Sequence, residues 1–351
     1  VGNYDFTEGY LRYYTEPVDS MSLSFQIGRE VIKLGYGYGD RLTLTGNHPY
    51  IDFFRTDFNY GILSYTALHG STIGEFHANR EDNYTKFFAY NRFKFKFKNL
   101  FDFGIGEVIV YNGRGIDPAY FNPFIFYKFV EMSLQDRDNG LVFLDIQTNF
   151  IKNLELQGTF FLDENIIGHL QEMNRFSNKT AYQLGAFWYS PFSINDLSLV
   201  FEYTKIRPYV YSHITIKNSY TAHSELLGHH IGPNSDEIYS RLSYNFSQKL
   251  RGNFEFQHIR TGKNQYDALG NIVFNAGNDP LIGHREGVDP KHIDFLDGDR
   301  YNTSIFTISF RYEPIRELYF DLFYQHQSEK DLTNNIIINS NYAYIRMVFG
   351  F

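Results

Sequence analysis

The chain has no cysteine, which excludes a disulfide framework and any thiolate metal site. It has no apolar run approaching about 18 residues, so no helix is available to cross a bilayer. No initiator Met stands at Val1, and no charged, apolar and small-residue leader opens the chain. Basic residues are in the minority. The 32 Lys and Arg against 40 Asp and Glu give a net charge of −8, and no basic recognition motif occurs, so nucleic acid is not an expected partner. The glycines of GIGEVIVYNGRG (104–115) are followed by neither GK[ST] nor a helical pattern, which removes a phosphate loop.

What is present is aromatic. The 351 residues include 36 Phe and 29 Tyr but a single Trp, and 21% of them are charged. A soluble core has little use for so many rings in a chain whose mean hydropathy is below zero. A wall with an apolar outside and a polar inside uses both kinds of residue, alternating them along every strand.

The stretch RFKFKFK (92–98) makes the alternation explicit. Successive side chains on a strand point to opposite faces, so Phe93, Phe95 and Phe97 share one face and Arg92, Lys94, Lys96 and Lys98 the other. A cation facing lipid near the midplane costs about 2–4 kcal/mol, so reversing this strand would lose on the order of 10 kcal/mol. The phenylalanines are therefore assigned to lipid and the Arg92–Lys94–Lys96 ladder to the lumen. The same period of two runs through LSLVFEY (197–203), NFEFQH (253–258), IFTISFRYE (305–313) and YAYIRMVFGF (342–351).

Fifteen strands are read: 4–15, 20–34, 51–60, 62–71, 84–97, 100–111, 141–151, 154–163, 180–190, 197–206, 237–247, 250–260, 301–313, 318–327 and 339–351. Their connections alternate between short ones, such as 98–99 and 152–153, and long polar ones at 35–50, 72–83, 112–140, 164–179, 207–236, 262–300 and 329–338. Tight periplasmic turns and long extracellular loops are the pattern of an all-β, antiparallel, outer-membrane β-barrel. Residues 1–351 read as one such transmembrane domain. Even strand numbers are the rule, so 16–18 strands are expected, with the balance in a hairpin hidden in 207–236 or in strands upstream of Val1. The terminal aromatic Phe351 resembles the C-terminal signal of such barrels.

Four stretches carry a more specific likeness: IGREVIKLGYGYGDRLTLTGNHPYIDFFR (27–55), FGIGEVIVYNGRGIDPAYFNP (103–123), FEYTKIRPYVYSH (201–213) and LGHHIGPNSDE (227–237). In this order they resemble the Wzi-type capsule-assembly family of outer-membrane proteins. The resemblance implies an 18-stranded barrel closed by an N-terminal periplasmic helical bundle, which would lie upstream of Val1. It also implies retention of capsular or extracellular polysaccharide, as a lectin and not an enzyme.

The expected sites follow from the loops. Where EYTKIRPYVYSH leaves the wall, Tyr203, Tyr209 and Tyr211 are placed to stack on sugar rings. Glu202, Arg207 and His213 are placed to hydrogen-bond hydroxyls. YFNP (120–123), with Tyr120 and Asn122, is expected to fold over the mouth. The Arg92–Lys94–Lys96 ladder either binds acidic sugars or pairs with lumen carboxylates such as Asp102 or Glu107. Glu107 itself points outward in this register unless a bulge reverses it, and Gly104 and Gly106 face the lumen, where they admit a close neighbour.

The aspartates of 262–300 lack EF-hand spacing. His229 and His230 have no third ligand at helical or strand spacing. Ser212 beside His213 is only a sequence neighbour pair. No metal, cofactor or catalytic set is therefore expected. The partners expected are polysaccharide, outer-membrane lipid and lipopolysaccharide, with a larger envelope complex as a further one. The alternative function is a porin for small anions.

Overall fold

The computed structural model describes residues 8–75, 77–122, 125–134, 137–148, 150–163 and 172–350. Their main feature is one 15-stranded antiparallel sheet in which every strand pairs with the next in sequence. The strands are β1 (Gly9–Val18), β2 (Met21–Glu30), β3 (Ile51–Tyr60), β4 (Leu63–Ile73) and β5 (Thr85–Lys96). They continue as β6 (Phe101–Asn112), β7 (Asn139–Thr148), β8 (Leu154–Leu162), β9 (Thr180–Tyr189) and β10 (Leu197–Ile206). The last five are β11 (Ser235–Ser247), β12 (Leu250–Lys263), β13 (Asp299–Ile315), β14 (Leu318–Asp331) and β15 (Ile336–Phe349). Among the described residues β1 and β15 end the sheet and do not pair with each other. Phe351, Pro123 and residues 4–7 of the expected first strand lie outside the described residues.

The register carries the two faces around the wall. Phe25, Phe54, Phe160, Leu184, Phe201, Leu242, Phe254, Phe306, Leu322 and Met347 are exposed on the outside. The rings of Tyr65 and Phe93 pack there with centroids 4.6 Å apart. On the lumen side Arg92 faces Gly106 and Lys94 faces Gly104 across the β5–β6 ladder. A Cβ on Gly104 would lie 2.2 Å from Asp145 Oδ1, and one on Gly106 would lie 2.3 Å from the Phe143 ring. These glycines thus admit neighbouring side chains, not a loop.

Three expectations are corrected. Segment 207–234 holds only a small hairpin, Thr221–Ala222 with Glu225–Leu226, which is no part of the wall. The expected long loop at 329–338 is a short turn, because β14 runs to Asp331 and β15 starts at Ile336. Tyr120 and Phe121 do not cover the mouth. The chain after β6 folds back on the outer wall, where Tyr120 and Tyr127 pack on Ala89, Ile109 and Tyr111. Glu107 points outward with no bulge in either ladder. Its carboxylate accepts the backbone N–H groups of Tyr127 at 2.7 Å and Lys128 at 3.2 Å. It thereby holds the start of the short helix α1 (Tyr127–Ser133), a buried acid satisfied by otherwise orphaned helix amides.

Candidate functional site: the folded loops and the outer rim

The long loops do not hang free from the wall. Segment 31–50 enters the bore as a finger, pinned by groups from three strands. Glu202 of β10 accepts Tyr38 N at 2.7 Å and Gly39 N at 3.0 Å. Tyr38 Oη donates to Glu155 of β8 at 2.7 Å. Its ring lies against Gly185 of β9, where a Cβ would come within 2.9 Å. The finger also meets the ladder, since the Arg92 guanidinium sits 4.8 Å from the Tyr36 ring centroid.

An apolar core joins the finger to the wall and to the other loops. Lumen-facing Phe53, Leu68, Phe88, Tyr90, Val110, Phe143, Phe161 and Ile206 pack with Leu42, Leu44, Val210, Tyr211, Tyr220 and Leu227 from the loops. Burial of this much apolar surface makes the inserted loops a second core inside the barrel. Segment 275–298 joins it: Tyr209 Oη donates to Asn275 O at 3.0 Å, and the Asn234 side chain binds Gly262 O and Leu296 N.

The expected sugar-binding residues divide accordingly. Tyr209 and Tyr211 have no exposed surface. Tyr211 Oη donates to Leu42 O at 2.8 Å and accepts His229 N at 3.3 Å. These two rings pack the loops together and present no face to a polymer. Glu202 is buried as the finger's anchor. Tyr203 lies on the outer wall at the rim, its hydroxyl 3.1 Å from Asp236, which also pairs with Arg260. Tyr120 is buried and donates to Asp138 at 2.6 Å. Asn122 is exposed, while Arg207 and His213 are half-buried at the top. Arg207 binds Met173 O. No single cleft gathers all eight.

The ladder is matched by acids. Arg92 meets Asp145 at 2.6 Å and Lys94 meets Asp102 at 3.5 Å, and Lys96 stands opposite Asp102 in register. Of the two carboxylates expected for it, Asp102 serves and Glu107 lies on the other face.

Sequence reasoning missed one cluster. His230 Nδ1 lies 2.8 Å from Asp40 Oδ2 of the finger and its Nε2 lies 3.4 Å from Glu237 of β11. His229 Nε2 is 3.7 Å from the other Glu237 oxygen. Burial pushes His229 down to about 4, helped by the charge on His230. Burial acts the same way on His230, but hydrogen bonds to Asp40 and Glu237 outweigh it and raise it to about 10. Burial would lift the Asp40 carboxyl, yet the His230 hydrogen bond and the His229 charge hold it below its usual range. Of the aspartates of 262–300, Asp267 and Asp279 cap turns, Asp289 binds Arg285, and Asp294 accepts from the Asn174 side chain.

A wall that is greasy outside and ion-paired within, its outer loops turned inward, defines an outer-membrane β-barrel with a filled outer bore. Within that class the assignment is specific. The family model for capsule assembly protein Wzi matches residues 2–330, and the chain belongs to that family. Among solved structures it is similar to Wzi of Escherichia coli, described as an outer-membrane protein involved in group 1 capsule assembly and a carbohydrate-binding β-barrel. The identity is 12% and the TM-score 0.62, over 95% of this chain and 68% of that one. OccD3 of Pseudomonas aeruginosa and the outer membrane channel DcaP of Acinetobacter baumannii have TM-scores of 0.47 and 0.46 at 10% identity. They cover 97% of this chain, and 85% and 84% of their own. No curated protein matches the sequence.

Proposed function

We propose that this chain binds surface polysaccharide at the outer membrane and takes part in capsule assembly, as a lectin-like protein and not as an enzyme. The observation that carries this reading is the inward packing of the loops. Finger 31–50 and segment 207–234 fill the outer bore with buried side chains, leaving the loop tops as a fixed surface. A rigid surface loses little conformational entropy on meeting a polymer. Family membership and the carbohydrate binding described for E. coli Wzi support it.

In this reading 1–351 is one barrel domain, its apolar outer face meeting lipid and lipopolysaccharide. Arg207 and His213 contact hydroxyls or acidic groups of the polymer at the top, with Tyr203 at the rim and Asn122 on the segment that lies against the outer wall. Buried Tyr209 and Tyr211 hold that surface in shape. Individual contacts are weak, and the repeating polymer adds them through multivalency.

A second reading, an anion conduit, draws on a lumen cavity of about 390 Å³ lined by Arg241, Arg251, Arg311 and Arg346. The packed outer bore weighs against it.

The test is the distribution of polysaccharide between washed cells and medium, with and without the protein. Movement of polymer to the medium at unchanged total supports retention at the surface. Unchanged pools refute it and make ionic conductance in planar bilayers the next measurement.

A further inference from the structure

The cluster around His229 and His230 has chemistry that no part of the proposed function uses. Two parts of the chain far apart in sequence meet there: Asp40 from the finger, and the stretch that carries His229 and His230 into Glu237 at the top of β11. Asp40, His229 and Glu237 are all at least nine-tenths buried. Asp40, His229 and His230 each present a ligating atom, and these atoms lie within 4.8 Å of one another. Glu237 Oε1 is buried, and the donor facing it, His230 Nε2, stands at 3.4 Å in poor hydrogen-bond geometry. A buried ionised oxygen so weakly matched has room for a stronger partner.

We propose that His229 Nε2, His230 Nε2 and the Glu237 carboxylate bind a divalent transition ion of the zinc class. Asp40 acts as the positioning carboxylate behind His230. The donor set is right for this class and wrong for calcium or magnesium, which take oxygen. Metal–ligand bonds of about 2.0–2.1 Å put neighbouring ligand atoms roughly 3.3 Å apart. His230 Nε2 lies 3.4 Å from Glu237 Oε1 and His229 Nε2 lies 3.7 Å from Glu237 Oε2, spacings close to that for a carboxylate binding through both oxygens. Asp40 Oδ2, 2.8 Å from His230 Nδ1, fixes the tautomer whose Nε2 is free for metal, the usual arrangement behind a ligating histidine.

Thr204 Oγ1, 3.3 Å from His229 Nε2, offers a further oxygen. The His230 side chain is 37% exposed, which gives an ion a way in. Bound there, the ion clasps segment 207–234 to the wall beside the finger. The site does not depend on the polysaccharide reading and stands or falls separately.

The experiment uses the full chain, free of any affinity tag, purified in detergent, stripped with EDTA and titrated with Co²⁺ and Zn²⁺ alone. The expected result is one equivalent of Co²⁺ with intense low-symmetry visible bands, displaced by Zn²⁺. Glu237→Gln and His229→Gln should weaken binding at least ~10-fold, and Asp40→Asn by a smaller factor at unchanged stoichiometry. His230→Gln, at the more exposed ligand, guards against loss through misfolding, and heat-shifted gel migration reports whether each variant is folded. Absence of Co²⁺ binding by the wild-type chain, or an affinity equal to wild type's in folded His230→Gln and Glu237→Gln, overturns the proposal.

Discussion

Glu202→Gln tests how the finger is held. The carboxylate accepts two backbone amides, Tyr38 N at 2.7 Å and Gly39 N at 3.0 Å, one on each oxygen. Glutamine keeps one acceptor oxygen and turns an NH₂ toward the other amide, leaving a buried donor unmatched. Hydrogen bonds to a charged group contribute about 1.5–3 kcal/mol, and an unsatisfied buried donor costs about 1–3 kcal/mol. The gross loss is therefore roughly 3 kcal/mol. Removing a charge repelled by Glu237 offsets part of that and leaves about 2 kcal/mol. The net of about 2 kcal/mol corresponds to a ~30-fold shift in local opening. Hydrogen exchange of the peptide spanning 31–50 should accelerate by about that factor, while α1 is unaffected. Unchanged protection at Tyr38 and Gly39 would refute the anchoring role.

Further predictions separate the parts of the wall. Asp145→Ala should lower stability by about 3–5 kcal/mol in a denaturant titration, because it leaves Arg92 unpaired in a buried layer, whereas Lys96→Ala should change it by less than about 0.5 kcal/mol. Glu107→Ala removes both amide contacts to α1 and should make 113–138 the first site of limited proteolysis, with the barrel core intact. Tyr211→Phe strips partners from Leu42 O and His229 N and should cost about 1–2 kcal/mol in thermal unfolding without changing polymer affinity at fixed folded protein. Burial raises the Asp289 carboxyl, but its hydrogen bonds with Arg285 outweigh this and leave it lowered. Its contribution is present above the ordinary carboxylate value and is lost as pH falls through the depressed one, so exchange across 275–298 should speed up only in acid.

The wall was legible because its signal is local. Phe93 and Lys94 differ by one residue, and a period of two needs no long-range information. Bounds at β3, β8 and β10 follow from the same alternation and from turns such as Lys152–Asn153, where Asn153 takes φ +63°. The bore was not legible. Tyr211 finds its acceptor 169 residues away in Leu42, and His230 finds Asp40 at a separation of 190. A tyrosine in a polar segment reads as a rim aromatic unless the loop that buries it is known. Glu107 was read on the correct face, but what covers it, the amides at 127 and 128, comes from a stretch with no alternation to place it. Gly104 and Gly106 showed that something comes close, not that it would be Asp145 and Phe143.

Equilibrium binding of the purified chain to surface polysaccharide from a producing strain, against fragments of decreasing length, decides between retention and conduction. Saturable binding that weakens steeply as repeats are removed, with further loss in Arg207→Ala and His213→Ala, is the expected result. No binding to intact polymer, together with steady anion current across a bilayer, would contradict it.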